Sequence, residues 1–393
     1  MLKDNTTKQK QVLSISNSGF AFSNRFCHIL LDTVHDPNGK QYKNLRIKNS
    51  TDKQIDFKFT NSLWKATDTN YEHNILLDFI SIPCDNTNSL IDFFIKNGFI
   101  FRNSCEEYSL FSCNDLHSII KRTQYLVQLI MELQKEEPNF EILLHNTVYL
   151  LISDPIIIYK DNTSMDVNNP QNNNIIYSSY THAIYNCIID YNNLGPNTTG
   201  FDYYDEDILC GAYTDFENSK KEFKDELKFS LTMNYLFRDN VANKTHSQIK
   251  FLYKLLDISC ISIVSLYEGV KFSKKIYLIL NSFNDELKQE LLNITKYVIK
   301  TELNYNISKV RANYNIDDLQ ASWQIPDLLT AIYFSIFFLN PHFEIIKKCA
   351  NPTCDTFLSA VHSNTRKKYC STRCANAVSQ RNSRIRQRAQ KNN

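Results

Sequence analysis

The sequence predicts an α+β chain: a predominantly α-helical body, a strand-rich N-terminal part and a small C-terminal element held by metal. Three observations carry that prediction. The first 80 residues alternate short apolar runs with turn clusters. From about residue 220 onward the apolar residues recur at helical spacing. Four cysteines near the end stand as two close pairs, Cys349/Cys354 and Cys370/Cys374, in the order C-x4-C-x15-C-x3-C. With 393 residues the chain is long enough for two or three domains, and only seven glycines and nine prolines argue against a turn-dense β-sandwich. The boundaries predicted are 1–85 for the strand-rich part, 86–345 for the helical body and 346–393 for the C-terminal element.

Within the first part, Gln11–Ile15, Leu45–Lys48, Ile55–Phe59 and Ile75–Ile82 read as strands, separated by turns such as Asp36-Pro37-Asn38-Gly39 and Asn49–Asp52. Asn88-Ser89 can cap a helix over Leu90–Lys96 that Gly98 ends. A longer helix is predicted from Asp115 to Lys135, with Leu116, Ile119, Thr123, Leu126, Ile130 and Leu133 on one face and Pro138 as its stop. Residues 160–176 are polar and Asn-rich and read as a loop. Helices are then expected at Ser219–Leu236, Thr245–Glu268, Asn284–Tyr305 and Pro326–Leu339, the last apolar all round and therefore buried.

The cysteine pairs carry the chemistry. A tight turn brings the two thiols of a pair to within about 4 Å, the span of two sulfurs on one Zn²⁺. Asn351-Pro352 supplies the turn in the first pair. In the second, Ser371 is placed to cap a helix on which Cys370 and Cys374 lie one above the other at i and i+4. The reading is one structural Zn²⁺ on four thiolates. Such an ion has no open coordination position, so it cannot activate water. His362, between the pairs, is a loop histidine on this reading.

Charge is distributed unevenly. Residues 347–393 hold eleven Lys and Arg against one acid, Asp355, giving +10, while the other residues hold 33 against 41, giving −8. At about 100° per residue, Arg373, Arg381, Arg384, Arg388 and Lys391 share an arc of roughly 80° on the last helix, with Arg386 pointing away. Val378, Ile385 and Ala389 share another face. Arg366, Lys367 and Lys368 precede the third cysteine. These basic residues are the candidate nucleic-acid contacts, since an arginine fork suits phosphates and guanine edges. DNA is the expected polymer. RNA is the alternative, although Tyr369 is the only aromatic near the basic residues, a poor stacking platform for single strands.

The stretch IKKCANPTCDTFLSAVHSNTRKKYCSTRCANAVSQRNSRIRQR resembles the CGNR-type zinc finger of bacterial proteins. The matching elements are the four cysteines, Phe357, the basic residues before Tyr369-Cys370 and the arginine-rich exit helix. The resemblance implies a treble-clef-like finger that binds DNA. The family's Gly-Asn-Arg after the last cysteine is Ala375-Asn376-Ala377 here, so only the Asn is kept. Residues of about 75–155, a short helix ending in Asn-Gly followed by a longer one, are similar in pattern to the regulatory domain attached to such fingers.

No catalytic residue is predicted. The chain has no G-x-G, no H-E-x-x-H and no G-x-S-x-G. The acidic run Asp202–Asp207 matches no EF-hand spacing and reads as solvated loop. No histidine follows Cys370, which argues against a His–Asn–His nuclease. The N-terminus lacks the apolar core of a secretory signal, and no apolar run reaches the length that spans a bilayer. The seven remaining cysteines are scattered and read as reduced core thiols in a cytoplasmic protein. Heavy use of Asn, Ile, Lys and Tyr suits AT-rich codons and a bacterium or its phage. The expected function is a cytoplasmic transcriptional regulator whose body senses a small-molecule or protein signal or forms a homodimer. The alternative is an interaction module whose basic finger docks on an acidic partner or on its own body.

Overall fold

The computed structural model describes residues 20–22, 27–35, 39, 41–50, 57–59, 75–84, 86–103, 106–153, 155–159, 175–182, 261–265, 269–272, 281, 283–316, 320–337, 339, 344–354, 356–361 and 367–391. The expected strand Gln11–Ile15, the helix Ser219–Leu236, the Asp202–Asp207 run, His362 and most of the Asn-rich loop lie outside them. In chain order the elements are β1 (Phe20–Phe22), β2 (Cys27–His35), β3 (Gln41–Asn49), β4 (Phe57–Phe59), α1 (Ile75–Ile80), α2 (Thr87–Asn97), β5 (Ser109–Ser112), α3 (Cys113–Leu133), α4 (Phe140–Ile152), β6 (Ile157–Tyr159), β7 (Ile175–Ser178), β8 (Ile261–Ser265), β9 (Gly269–Phe272), α5 (Asp285–Ile307), β10 (Arg311–Asn315), β11 (Gln320–Gln324), α6 (Leu328–Phe337), β12 (Glu344–Lys348), β13 (Phe357–Val361) and α7 (Thr372–Lys391). Helices thus mix with small antiparallel sheets. Among the described residues no helix is long and apolar enough to cross a membrane.

The chain divides into two compact units, one formed by Met1–Ile120 with Ile307–Asn393 and the other by Lys121–Asn306. The boundaries expected near 85 and 345 both fall inside the first unit.

In the first unit, β2, β3 and β5 form one antiparallel sheet, and β1, β4, β11 and β10 another, in that order. The β2–β3 register is unbroken from Cys27↔Asn49 to His35↔Gln41. Gly39, in the turn expected there, takes φ 79°, the left-handed region that favours glycine. Leu45 and Ile47 of β3 alternate with half-buried or exposed neighbours, so one face of this sheet enters the core. Around them lies a run of phenylalanines, with Phe79–Phe93, Phe94–Phe99 and Phe99–Phe111 ring centroids 5.3, 5.1 and 4.5 Å apart. Asn103 stitches the sheet to its loop: it donates to the Ile47 carbonyl at 2.6 Å and accepts from Ser109 Oγ at 2.7 Å.

Two expectations are corrected here. Ile75–Ile82 is not a strand. Its residues Ile75, Leu76, Phe79 and Ile80 are buried at the i, i+1, i+4, i+5 spacing of a helix, and a short unbroken apolar run does not tell the two apart. Helix α2 is capped one turn earlier than expected, by Asn86, whose Oδ1 accepts from the Ser89 N–H at 3.1 Å. Its end is as expected: Gly98 has φ 85° and donates to the Phe94 carbonyl at 2.8 Å. Helix α6 is buried from Leu328 to Ile336, and its Leu329 N–H donates to the Ile100 carbonyl at 3.0 Å.

The second unit holds the remainder of α3, α4, most of α5 and the hairpins β6–β7 and β8–β9. Helix α5 buries Leu291, Ile294, Thr295, Val298, Thr301 and Glu302, a single helical stripe. On that stripe Glu302 meets Arg122 of α3 at 2.6 Å, both side chains 1% exposed, and Arg122 also donates to Ser153 Oγ. The chain beyond residue 220 is therefore not helical throughout. Strands β8 and β9 occupy the end of the expected Thr245–Glu268 helix and the stretch after it, and in the first unit β10 and β11 pair from Arg311↔Gln324 to Asn315↔Gln320. The sequences RANYN and QASWQ do alternate, with Ala312 and Tyr314, and Ala321 and Trp323, between polar neighbours, but each run is only five residues long and carries a single large apolar side chain.

Candidate metal centre and basic helix

The C-terminal element is built from β12, β13 and α7. β12 and β13 form a hairpin with register from Glu344↔Val361 to Lys348↔Phe357. Cys349 leaves the end of β12, and its N–H donates to the Thr356 carbonyl at 3.0 Å, which carries the pairing one step past the strand. The Asn351-Pro352 turn then folds the chain back, with the Cys354 N–H donating to the Asn351 carbonyl at 2.9 Å. The third cysteine is held beside the first because the Ala350 N–H donates to the Lys368 carbonyl at 2.9 Å. Ser371 caps α7 as its type predicts, its Oγ accepting from the Cys374 N–H at 3.3 Å.

These connections gather the four sulfurs of Cys349, Cys354, Cys370 and Cys374 within 4.8 Å of one another. Cys354 and Cys370 Sγ lie 3.7 Å apart, and Cys370 and Cys374 Sγ 3.6 Å. A tetrahedron with Zn–S of 2.3 Å has an S···S edge of about 3.8 Å, so the spacing fits one Zn²⁺. The donor chemistry fits as well. The Cys370 N–H points at Cys349 Sγ and the Asn351 side-chain amide at Cys374 Sγ, each at 3.5 Å. N–H groups aimed at sulfur favour thiolate over thiol. The Asn351 amide is the largest reason that the Cys374 thiol is lowered to about 6. Burial, followed by hydrogen bonds to Cys374 and Cys354, pushes Cys370 up to about 12. A divalent cation displaces the thiol protons of its ligands on loading. Cys349 and Leu358 are buried beneath the site, with Tyr369 packed against them. One structural zinc on four cysteines is the centre.

The sequence marked Asn351 as a turn residue. Its second role, the amide on Cys374, has a legible cue only in hindsight of the fold: an Asn two residues after the first ligand. Ser81 carries no such cue. Its Oγ accepts from the Phe357 N–H at 2.9 Å across a separation of 276 residues.

Helix α7 carries the basic residues outward. Arg373, Arg381 and Arg384 are exposed, as are Lys367 and Lys368 before the third cysteine. From Ser379 to Ile385 every residue is exposed, and Ile385 itself is 59% accessible. Among the described residues none of these three arginines makes an ion pair. Arg388 and Lys391 continue the same helix by position, while Arg366 falls outside the described residues.

The free thiols elsewhere are unlike the cluster. Burial raises the half-buried Cys27 to about 12 and the buried Cys113 to about 11, which makes both thiols unreactive.

Residues 346–387 match the family model of the CGNR zinc finger, which takes in all four ligands and most of α7. No curated protein and no solved structure matches the chain.

Proposed function

We propose that the chain is a non-enzymatic, cytoplasmic nucleic-acid-binding protein, a bacterial transcriptional regulator that lays α7 of a treble-clef-like finger along duplex DNA. The observation that carries this reading is the state of Arg373, Arg381 and Arg384: exposed on one helix and, among the described residues, unpaired with any carboxylate. A basic helix masked by the acidic body would show those guanidiniums against Asp or Glu. A helix kept for phosphates leaves them open. The zinc sets the first turn of α7 rigidly on the hairpin, so the cations are presented in a fixed array. One helix reads few base pairs, and a homodimer with two half-sites supplies the rest. The body then supplies the signal-dependent part of the regulator.

The test is duplex-DNA binding by the zinc-loaded full chain and by its Arg381→Glu, Arg384→Glu, Arg388→Glu variant. Loss of binding with unchanged zinc content and unfolding midpoint is the expected result. Unaltered affinity refutes the reading. Retention of the wild-type chain by an acidic protein resin and not by DNA would favour the interaction module instead.

A further inference from the structure

Strand β13 has two working faces. Side chains alternate along a strand, and residues directly opposite in an antiparallel pair share a face. Leu358 is 3% exposed and packs under Cys349 with the other three ligands around it. Phe357 and Ile346 fall on the opposite face by the Lys348↔Phe357 and Ile346↔Ser359 register, and they are buried as well, at 7% and 4%. β13 also packs against α1. The Phe357 N–H donates to Ser81 Oγ, just past the end of α1, where the Ser81 N–H itself bonds to the Leu77 carbonyl at 3.0 Å. The finger is therefore part of the wall of the first unit's core.

Neither partner in this contact is self-sufficient. A two-stranded hairpin is marginal without something on its face, and β12–β13 pairs with no other strand among the described residues. Helix α1 has six residues, far below the length at which a helix stands alone in water, and Ile75, Leu76, Phe79 and Ile80 are 0 to 1% exposed. Each is held by what covers it. For β13 that cover is the ligand cluster on the Leu358 face together with its contact with α1.

We propose that β13 couples metal occupancy of the finger to the packing of α1, so that loss of zinc loosens a buried helix of the body, and the packing of α1 in turn raises the finger's hold on zinc. The reciprocity is a thermodynamic requirement: whatever zinc gives α1, α1 gives zinc. Metal removal takes away the ion that ties the four sulfurs together around Leu358, and the hairpin loses the support of that face. The cover over Ile75–Ile80 then opens locally. Zinc status is in this way read by the body as well as by the DNA-facing helix. The inference does not depend on what α7 binds.

Amide hydrogen exchange of the full-length protein tests it, with zinc bound, after removal by a strong chelator, and after zinc is restored. Peptides covering Ile75–Ser81 report on α1, and peptides covering Phe140–Ile152 of α4, in the second unit, serve as the reference. Exchange in α1 should quicken by about tenfold or more on metal removal, as local opening predicts. It should recover with zinc, and α4 should not change. Unchanged protection of α1 overturns the proposal, and so does an equal loss in α4, which would mean global unfolding. Cys374→Ser removes the metal by a second route and should reproduce the α1 pattern; full α1 protection in that variant, with its metal lost, counts against coupling. Ser81→Ala leaves every ligand in place and should weaken zinc retention about fivefold in chelator competition, the effect of one net hydrogen bond. Zinc affinity identical to wild type in Ser81→Ala also overturns it.

Discussion

The strength of the proposed DNA contact can be worked out from α7 alone. The stripe offers Arg373, Arg381, Arg384, Arg388 and Lys391, with Lys367 and Lys368 beside the third cysteine. If about six of these cations meet phosphates, the slope of log K against log salt is near −5. Between 50 and 200 mM salt, affinity should then fall roughly a thousandfold. Changing Arg381, Arg384 and Arg388 to Gln removes three contacts. The slope should drop to about −2.7, and the same salt increase should cost only about 40-fold. Gln keeps nearly the helix propensity of Arg, so α7 should stay folded. Arg381 and Arg384 are exposed, so stability should change by less than about 0.5 kcal/mol. Fluorescence anisotropy on a labelled duplex across a salt series gives the slopes, and circular dichroism checks the fold. A slope that stays near −5 in the variant would mean the phosphates are met elsewhere, and α7 would lose its assigned role.

Four other outcomes follow from the structure. Cys374→Ser should abolish stoichiometric zinc in the purified chain, measured by elemental analysis, because three cysteines no longer close the tetrahedron. Asn351→Ala deletes the amide on Cys374 and should weaken zinc about 10- to 100-fold in competition with a chromogenic chelator, the usual effect of losing such a partner. Arg122→Met strands Glu302 in the interior of the second unit and should cost about 3–5 kcal/mol in urea unfolding, while the double variant Arg122→Met, Glu302→Met should recover much of that loss. Asp327 caps α6 through Thr330 at 2.7 Å, yet burial raises its carboxyl above the usual range. A raised carboxyl means the folded state holds the proton more tightly, so ionised Asp327 costs stability at neutral pH and the cost fades as pH falls through the folded value. Asp327→Asn keeps the cap and should raise the melting temperature at pH 7, with the difference shrinking in acid; a melting temperature lowered at pH 7 would contradict the sign.

The metal centre was legible because its determinants are local. A turn and a helix start fix the ligands, and each has a sequence signature: Asn351-Pro352 within the first pair, and Ser371 capping α7, with Cys370 just before that helix and Cys374 in its first turn. Gly98 was legible for the same reason, since its left-handed φ is a property of one residue. The determinants that failed to show are relational. Ile75–Ile80 is helical because of what covers it, and its apolar run is silent on the choice. The strands RANYN and QASWQ exist because each finds the other, and β11 finds β4 at Trp323↔Phe57. Arg122 and Glu302, 180 residues apart, look in sequence like two ordinary surface charges.

The two kinds of determinant meet at β13. Its inner residue, Leu358, belongs to the local logic of the cysteine knuckle, and its outer residue, Phe357, to a contact that only the folded body defines. A finger that served solely as a detachable DNA hook would gain nothing from burying Phe357 and Ile346, and exposed polar residues would serve that face better. The contact of β13 with α1 fixes where α7 starts relative to the first unit's core. A change in that core, whether from a bound signal or from loss of metal, then has a direct path to the helix that carries the arginines. That path is short and testable: α1, Ser81, β13, Cys349, and the sulfur cluster at the first turn of α7.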